Sequence, residues 1–176
     1  MIEARDLLSH LRNLSGDHQG MRFSDYQLMG PLNDAISLVY DALIGNANPV
    51  ARRRATLTVE NGSAELPEDL HSLSLVDELL PWGESTTPPD GYYRVVGDRI
   101  YCANGEVSVE YFYIPEMIVE DLDEVDIPRS LFSTVVNVAK ALMMNDRMTA
   151  DNLVWKVVTS MASRGISHIP GRKAFT

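Results

Sequence analysis

The apolar residues of this chain keep one period, lose it and return to it, and few architectures accommodate that order. From Leu28 through Leu32, Ala35, Ile36, Val39 and Tyr40 to Leu43 they recur every three or four residues, which stacks side chains on one helix face. After Ala55 the repeat falls to two. From Leu131 through Phe132, Val135, Val138, Ala139 and Leu142 to Met143 the helical spacing is back. That order predicts an α+β chain: a helical bundle of N-terminal helices plus a C-terminal helical hairpin, with an inserted small antiparallel β-sheet at about 53–114. At 176 residues, 45% of them hydrophobic, the chain suits one sizeable core, drawn here as a single domain of 1–164 followed by an extended tail, 165–176.

The helix boundaries carry their own signals. Ile2, Leu7, Leu8, Leu11 and Leu14 share one face of a helix over 2–14, which SGDHQG ends. For a helix over 24–45, Ser24 caps, Gln27 returns the bond, and Phe23 with Leu28 has the spacing of a hydrophobic staple. Gly30 and Pro31 predict a kink or restart near residue 31, since proline removes a backbone bond and its ring crowds the preceding turn. Asp126 and Pro128 suit the start of a helix over 128–146. Thr149 caps a last helix over 150–164, carrying Leu153, Val154, Val157, Val158, Met161 and Ala162, with Gly165 at its end. Met143, Met144, Met148 and Met161 read as flexible core filler rather than a ligand box.

Within the insertion, ATLTVE, NG and SAEL read as a hairpin, because asparagine and glycine tolerate the positive φ of tight turns. LHSLSLVDEL reads as a further strand, whose second half could equally be a helical turn, and PWGESTTPPDG as an exposed loop. YYRVV, RIYC and EVSVEYFYI follow as a meander. In the last of these Val107, Val109, Tyr111 and Tyr113 alternate with Glu106, Ser108, Glu110 and Phe112, so one buried and one wet face are expected.

Charge is unevenly placed along a chain of formal net charge −10. Residues 116–126 (EMIVEDLDEVD) hold Glu116, Glu120, Asp121, Asp123, Glu124 and Asp126 without a base; residues 152–176 hold Lys156, Arg164, Arg172 and Lys173 without an acid. The acidic stretch reads most simply as a solvated loop, and its DxDxxD pattern fails as a calcium loop because Asp126 stands where the glycine belongs and Phe132 where the closing glutamate belongs. The final RGISHIPGRKAFT has too few apolar residues to fold alone, so it is either a solubilising end or a peptide ordered on a partner.

Several chemistries lack their residues. The lone Cys102 forms no internal disulfide, and His10, His18, His71 and His168 show no ligand spacing, so neither metal nor cofactor is expected. No glycine-rich phosphate loop, HExxH or GxSxG appears, and no enzyme is expected. No apolar run reaches membrane-spanning length, and the amphipathic N-terminus is unlike a secretion signal, so the chain is expected to be soluble, made in the cytoplasm and without a membrane partner. Arg52, Arg53 and Arg54 form a basic triplet that could contact phosphates or protein. The alternative of a regulatory DNA-binding protein, using the C-terminal hairpin and basic tail, rests on little beyond Asn152 and Lys156 against the overall negative charge.

The order of parts nonetheless resembles a family. RFSDYQLMGPLNDAISLVYDAL resembles the signature helix of bacteriophage head-to-tail adaptor (neck or connector) proteins, in which an aromatic-Ser-Asp cap leads into a helix bearing Asn-Asp-Ala. LPEDLHSLSLVDEL is similar to the strand that follows in the larger adaptors, YRVVGDRIYCANGEVSVEYFYIPE to their hairpin, and the closing helices and tail complete the layout over most of the chain. The Gly30-Pro31 break departs from the family's smooth helix.

The resemblance implies a structural virion protein. Its subunits would form a ring, expected to be twelvefold, joining the portal protein to a downstream tail or head-completion protein, with genome DNA passing through unbound. It also implies a role for the tail, in which Arg164, His168, Ile169, Pro170, Arg172, Lys173 and Phe175 would dock on the portal. Glu116, Glu120, Asp121, Asp123 and Glu124 would face the channel or the portal rim, where carboxylates repel duplex phosphates.

Overall fold

In the computed structural model, residues 1–165 are described, with side chains to residue 161. The α+β class is as the periodicity predicts. The chain forms two compact units, Met1–Val50 with the segment from Pro115, and Ala51–Ile114, the second taking in the insertion expected at about 53–114.

The helical unit contains α1 (Ala4–Ser15), α2 (Asp25–Gly45), α3 (Arg129–Met143) and α4 (Arg147–Gly165). Leu7, Leu11, Leu28, Leu32, Ala35, Val39, Tyr40, Leu43, Leu131, Val135 and Val138 are fully enclosed, the stripes that the three- and four-residue spacing places inward. α3 touches all three other helices and so forms the centre of this core. Among the described residues of the α4 stripe, Val154 and Val158 are buried.

Several boundaries differ from expectation, each for a local reason. The first helix begins at Ala4, because Ile2–Glu3 forms a strand, β1, antiparallel to the strand Glu124–Val125 (numbered β9 in chain order). α2 runs unbroken across Pro31. Proline still removes one backbone bond and crowds the preceding turn, but the added clash with the Cβ of the residue before it is absent at Gly30, and the helix passes without a restart. Its start keeps the full capping box between Ser24 and Gln27. α4 begins at Arg147, three residues early, because Asp146 rather than Thr149 caps it: the Asp146 carboxylate accepts the Thr149 backbone N–H at 3.0 Å and its hydroxyl at 2.6 Å. Met144 and Met148 stand 71% and 74% exposed, so they do not fill the core.

The second unit holds seven strands: β2 (Arg52–Val59), β3 (Ser63–Glu65), β4 (Leu70–Val76), β5 (Leu80–Pro81), β6 (Tyr92–Val96), β7 (Arg99–Tyr101) and β8 (Gly105–Tyr113). They form two sheets, ordered β2-β8-β4 and β3-β7-β6-β5. The NG turn forms with positive φ at Asn61 and Gly62, yet the flanking strands share only the Glu60–Ser63 bridge. β2 pairs along its whole length with β8, and β3 with β7. The turn therefore hands the chain from one sheet to the other instead of closing a hairpin. The meander divides likewise, since β7 pairs with β6 and β3 while β8 inserts between β2 and β4. That central place buries Phe112 as well as Tyr111 and Tyr113, so the far end of β8 has no wet face. β5 and β6 pair in parallel, joined through the loop that includes Pro88 and Pro89, so the insertion is not wholly antiparallel.

At Gly62, with φ of +78°, a Cβ would meet only the Cys102 carbonyl at an ordinary 3.9 Å. Gly62→Ala is therefore expected to cost about 1 kcal/mol through backbone strain alone, read from urea unfolding.

Candidate assembly surfaces

Two surfaces of the helical unit and one strand of the β unit carry the charged residues picked out in the sequence. The acidic segment is held firmly. Its Asp121 and Asp123 carbonyls accept the Arg5 and Ala4 backbone N–H groups, each at 2.8 Å, satisfying donors that the start of α1 leaves open. Glu3, the α1 N-cap residue, supplies no side-chain cap, so this segment does that work. The Asn33 side chain on α2 brackets Ile118, accepting its N–H at 2.8 Å and donating to its carbonyl at 3.0 Å. The Asp123 carboxylate closes the turn by accepting the Val119 and Glu120 N–H groups, both at 2.8 Å.

This geometry separates the five carboxylates. Asp123 is an internal turn-closer, half-buried and engaged, whereas Glu116, Glu120, Asp121 and Glu124 are exposed and form no ion pair among the described residues. Sequence reasoning saw only the acids. Between them Met117, Val119 and Leu122 stand 71%, 74% and 66% exposed, turned outward because Ile118 and Val125 take the inward positions. The detectable signal was an apolar residue at every second or third position with no helix or strand to absorb it.

At the other end of α1 lies a groove of about 380 Å³, lined by Leu14, Ser15, Arg22, Phe23, Lys140, Met143 and Met144. Gly16, left-handed at φ of 73°, ends α1 here, and α3 ends beside it. Neither Arg22 nor Lys140 forms an ion pair among the described residues. Leu14 and Met143 fall on inward stripes by helical period and Met144 is expected as core filler, which holds only while a helix has neighbours on that face.

Close by, Arg12 ties α1 to the start of α2. One guanidinium nitrogen donates to Asp17 at 2.9 Å and to the Phe23 carbonyl at 2.7 Å, the other to Asp25 at 2.6 Å. The buried Asp17 carboxylate also accepts the Arg22 and Phe23 N–H groups at 3.0 and 3.1 Å.

The basic triplet on β2 is split by strand alternation, with Arg52 and Arg54 on one face and Arg53 on the other. Arg54 pairs with Asp77 at 2.7 Å and Glu110 at 3.6 Å, and Arg52 lies 5.1 Å over the Phe112 ring. Arg53 pairs with Asp69 and lies 3.8 Å over Tyr113, while the Tyr111 hydroxyl donates to the same Asp69. These cations brace the β unit rather than forming one patch. On α4, Arg147 pairs with Asp151 at 3.2 Å and Trp155 is exposed beside Lys156. The Arg164 side chain and the tail residues His168, Ile169, Pro170, Arg172, Lys173 and Phe175 lie outside the described residues.

Three carboxyls sit below their ordinary value of 3.8. For Asp17, burial pushes the carboxyl up, but the N–H groups of Arg22, Phe23 and Met21 with the Arg12 guanidinium outweigh it. Asp123 is lowered by the Glu120 and Val119 N–H groups, and Asp146 by the Thr149 hydroxyl and N–H. Each lowered group stabilises the fold fully above its unfolded value, and that contribution is lost as pH falls through the folded value. The urea midpoint is thus expected to hold above about pH 5 and to decline below the ordinary carboxyl value. Asp123→Asn, whose side-chain oxygen still accepts both N–H groups but does not titrate, should flatten part of that decline.

The sequence matches no protein-family model and no curated protein.

Proposed function

We propose that this chain is a head-to-tail adaptor of a bacteriophage particle: a ring-forming subunit, twelve to the ring, that joins the portal to the tail and surrounds the DNA exit channel. It is a structural component of the virion neck and performs no catalysis. The observation that carries this reading is the segment 116–124, whose backbone is bonded to α1 and to Asn33 and which leaves Glu116, Glu120, Asp121 and Glu124 exposed and without an ion pair among the described residues. Charges left unpaired on an anchored segment suit a surface that repels DNA phosphates or meets another subunit, and repetition around a ring multiplies either effect. The layout supports it too, with two helices, a β insertion, an acidic connection, two more helices and a basic tail in the order found in the adaptors that this sequence resembles. The three perturbed carboxyls fit the same reading, since each closes a turn or caps a helix.

The test is electron microscopy of the purified chain mixed with the portal of its own phage. A collar of chain copies coaxial with the portal is expected. Portals that stay bare, with the chain in solution at its monomer mass, would overturn the proposal.

A further inference from the structure

The two surfaces at the ends of α1 are opposite in charge, and the acidic one carries exposed apolar side chains. The ridge presents Met117, Val119 and Leu122 among Glu116, Glu120 and Asp121; the groove is walled by Leu14, Phe23, Met143 and Met144 and rimmed by Arg22 and Lys140. We propose that the ridge of one copy seats in the groove of a second, so that subunits join head to tail. The proposal rests on the ring-forming part of the function above and names its contact.

Position makes the arrangement directional. The ridge is bonded to Ala4 and Arg5 at the start of α1, whereas Leu14 and Ser15 at its end line the groove. A helix of 12 residues is about 18 Å long, so one copy does not fill its own groove with its own ridge. Nor does either surface suit itself across a twofold axis, since ridge against ridge opposes carboxylates and groove against groove opposes cations. Each joined pair keeps one free ridge and one free groove, and addition continues until a ring closes.

The groove's own charge selects among occupants. The tail of this chain carries Arg172 and Lys173 and no acidic side chain, the same sign as Arg22 and Lys140, and is repelled there. Segment 116–122 brings three exposed apolar side chains, Met117, Val119 and Leu122, for the walls and three carboxylates for the rim.

The test pairs Leu122→Cys with Met144→Cys in one chain. Both positions are exposed, so folding is preserved, and the native Cys102 is buried and does not compete. Mild oxidation at high protein concentration is expected to give a ladder of linked chains from the double variant and unlinked chains from each single variant. Reversing the rim with Arg22→Glu and Lys140→Glu should cut the linked yield about ten-fold, and adding Glu120→Lys and Asp121→Lys should restore it. Sedimentation of the same reversed chains without the cysteines gives an independent readout of association.

The inference is overturned by an absent ladder, by a single variant that links as fast as the pair, or by a yield indifferent to charge reversal. A ladder that survives reversal but disappears with residues 166–176 overturns it too, by assigning the contact to the tail. A portal collar without a ladder sinks this interface and leaves the adaptor reading standing. A ladder without a collar does the opposite.

Discussion

Arg12→Ala lowers the free energy of unfolding by about 1 to 3 kcal/mol, the cost of leaving part-buried hydrogen-bonding groups without their donor. Arg12 serves three acceptors at once: Asp17, the Phe23 carbonyl and Asp25. Its removal leaves the enclosed Asp17 carboxylate with backbone donors but no counter-ion, and leaves the Phe23 carbonyl without the guanidinium donor. The Asp25 contact adds little, because that carboxylate is half exposed and its attraction is screened by water. Arg12→Lys is expected to lose less, since an ammonium keeps the charge but lacks the planar fork that reaches both sides. Urea unfolding measures both, as a shift in midpoint at unchanged slope. A change below about 1 kcal/mol for Arg12→Ala would show that the pair is a surface contact in energetic terms.

Under the proposed adaptor function, removing residues 166–176 is expected to weaken binding to the portal by about 100-fold or more. The reasoning is one of number: a weak contact repeated around a ring acts at high effective concentration once the first is made, so avidity exceeds single-site affinity by orders of magnitude. Arg172→Glu with Lys173→Glu should give an intermediate loss, with the remaining binding less sensitive to salt than that of the intact chain. Affinity measured on immobilised portal over a salt series checks both. Undiminished affinity after truncation would take the tail out of the proposed adaptor's contact with the portal.

Helices were the legible part of this fold. The Ser24 capping box and the stripe from Leu28 to Leu43 depend on neighbours three and four residues apart, and local information is what a sequence displays. The sheets were legible as strands but not as partners. Nothing within ATLTVENGSAEL announces that the two arms of a good turn pair with β8 and β7 instead of each other, because that choice is made by residues more than thirty positions away. Pro31 predicts a kink or a restart, and α2 shows no restart; the Gly30 before it lacks the Cβ that a proline ring crowds. At the candidate surfaces, charge could be read directly and exposure could not. Met117, Val119 and Leu122 look like core residues by type, and only the inward placement of Ile118 and Val125 turns them to solvent.

The position of β8 between β2 and β4 bears on how the protein is made. As the ribosome extends the chain, β2 and β4 emerge well before the strand that separates them, and they have no partner until the last strand of their unit leaves the exit tunnel. The helices wait longer, because α3, which touches all the others, is translated later still. Most tertiary structure is therefore deferred to the final stretch of synthesis, and a half-made polypeptide is a client for a chaperone before it is a subunit for assembly.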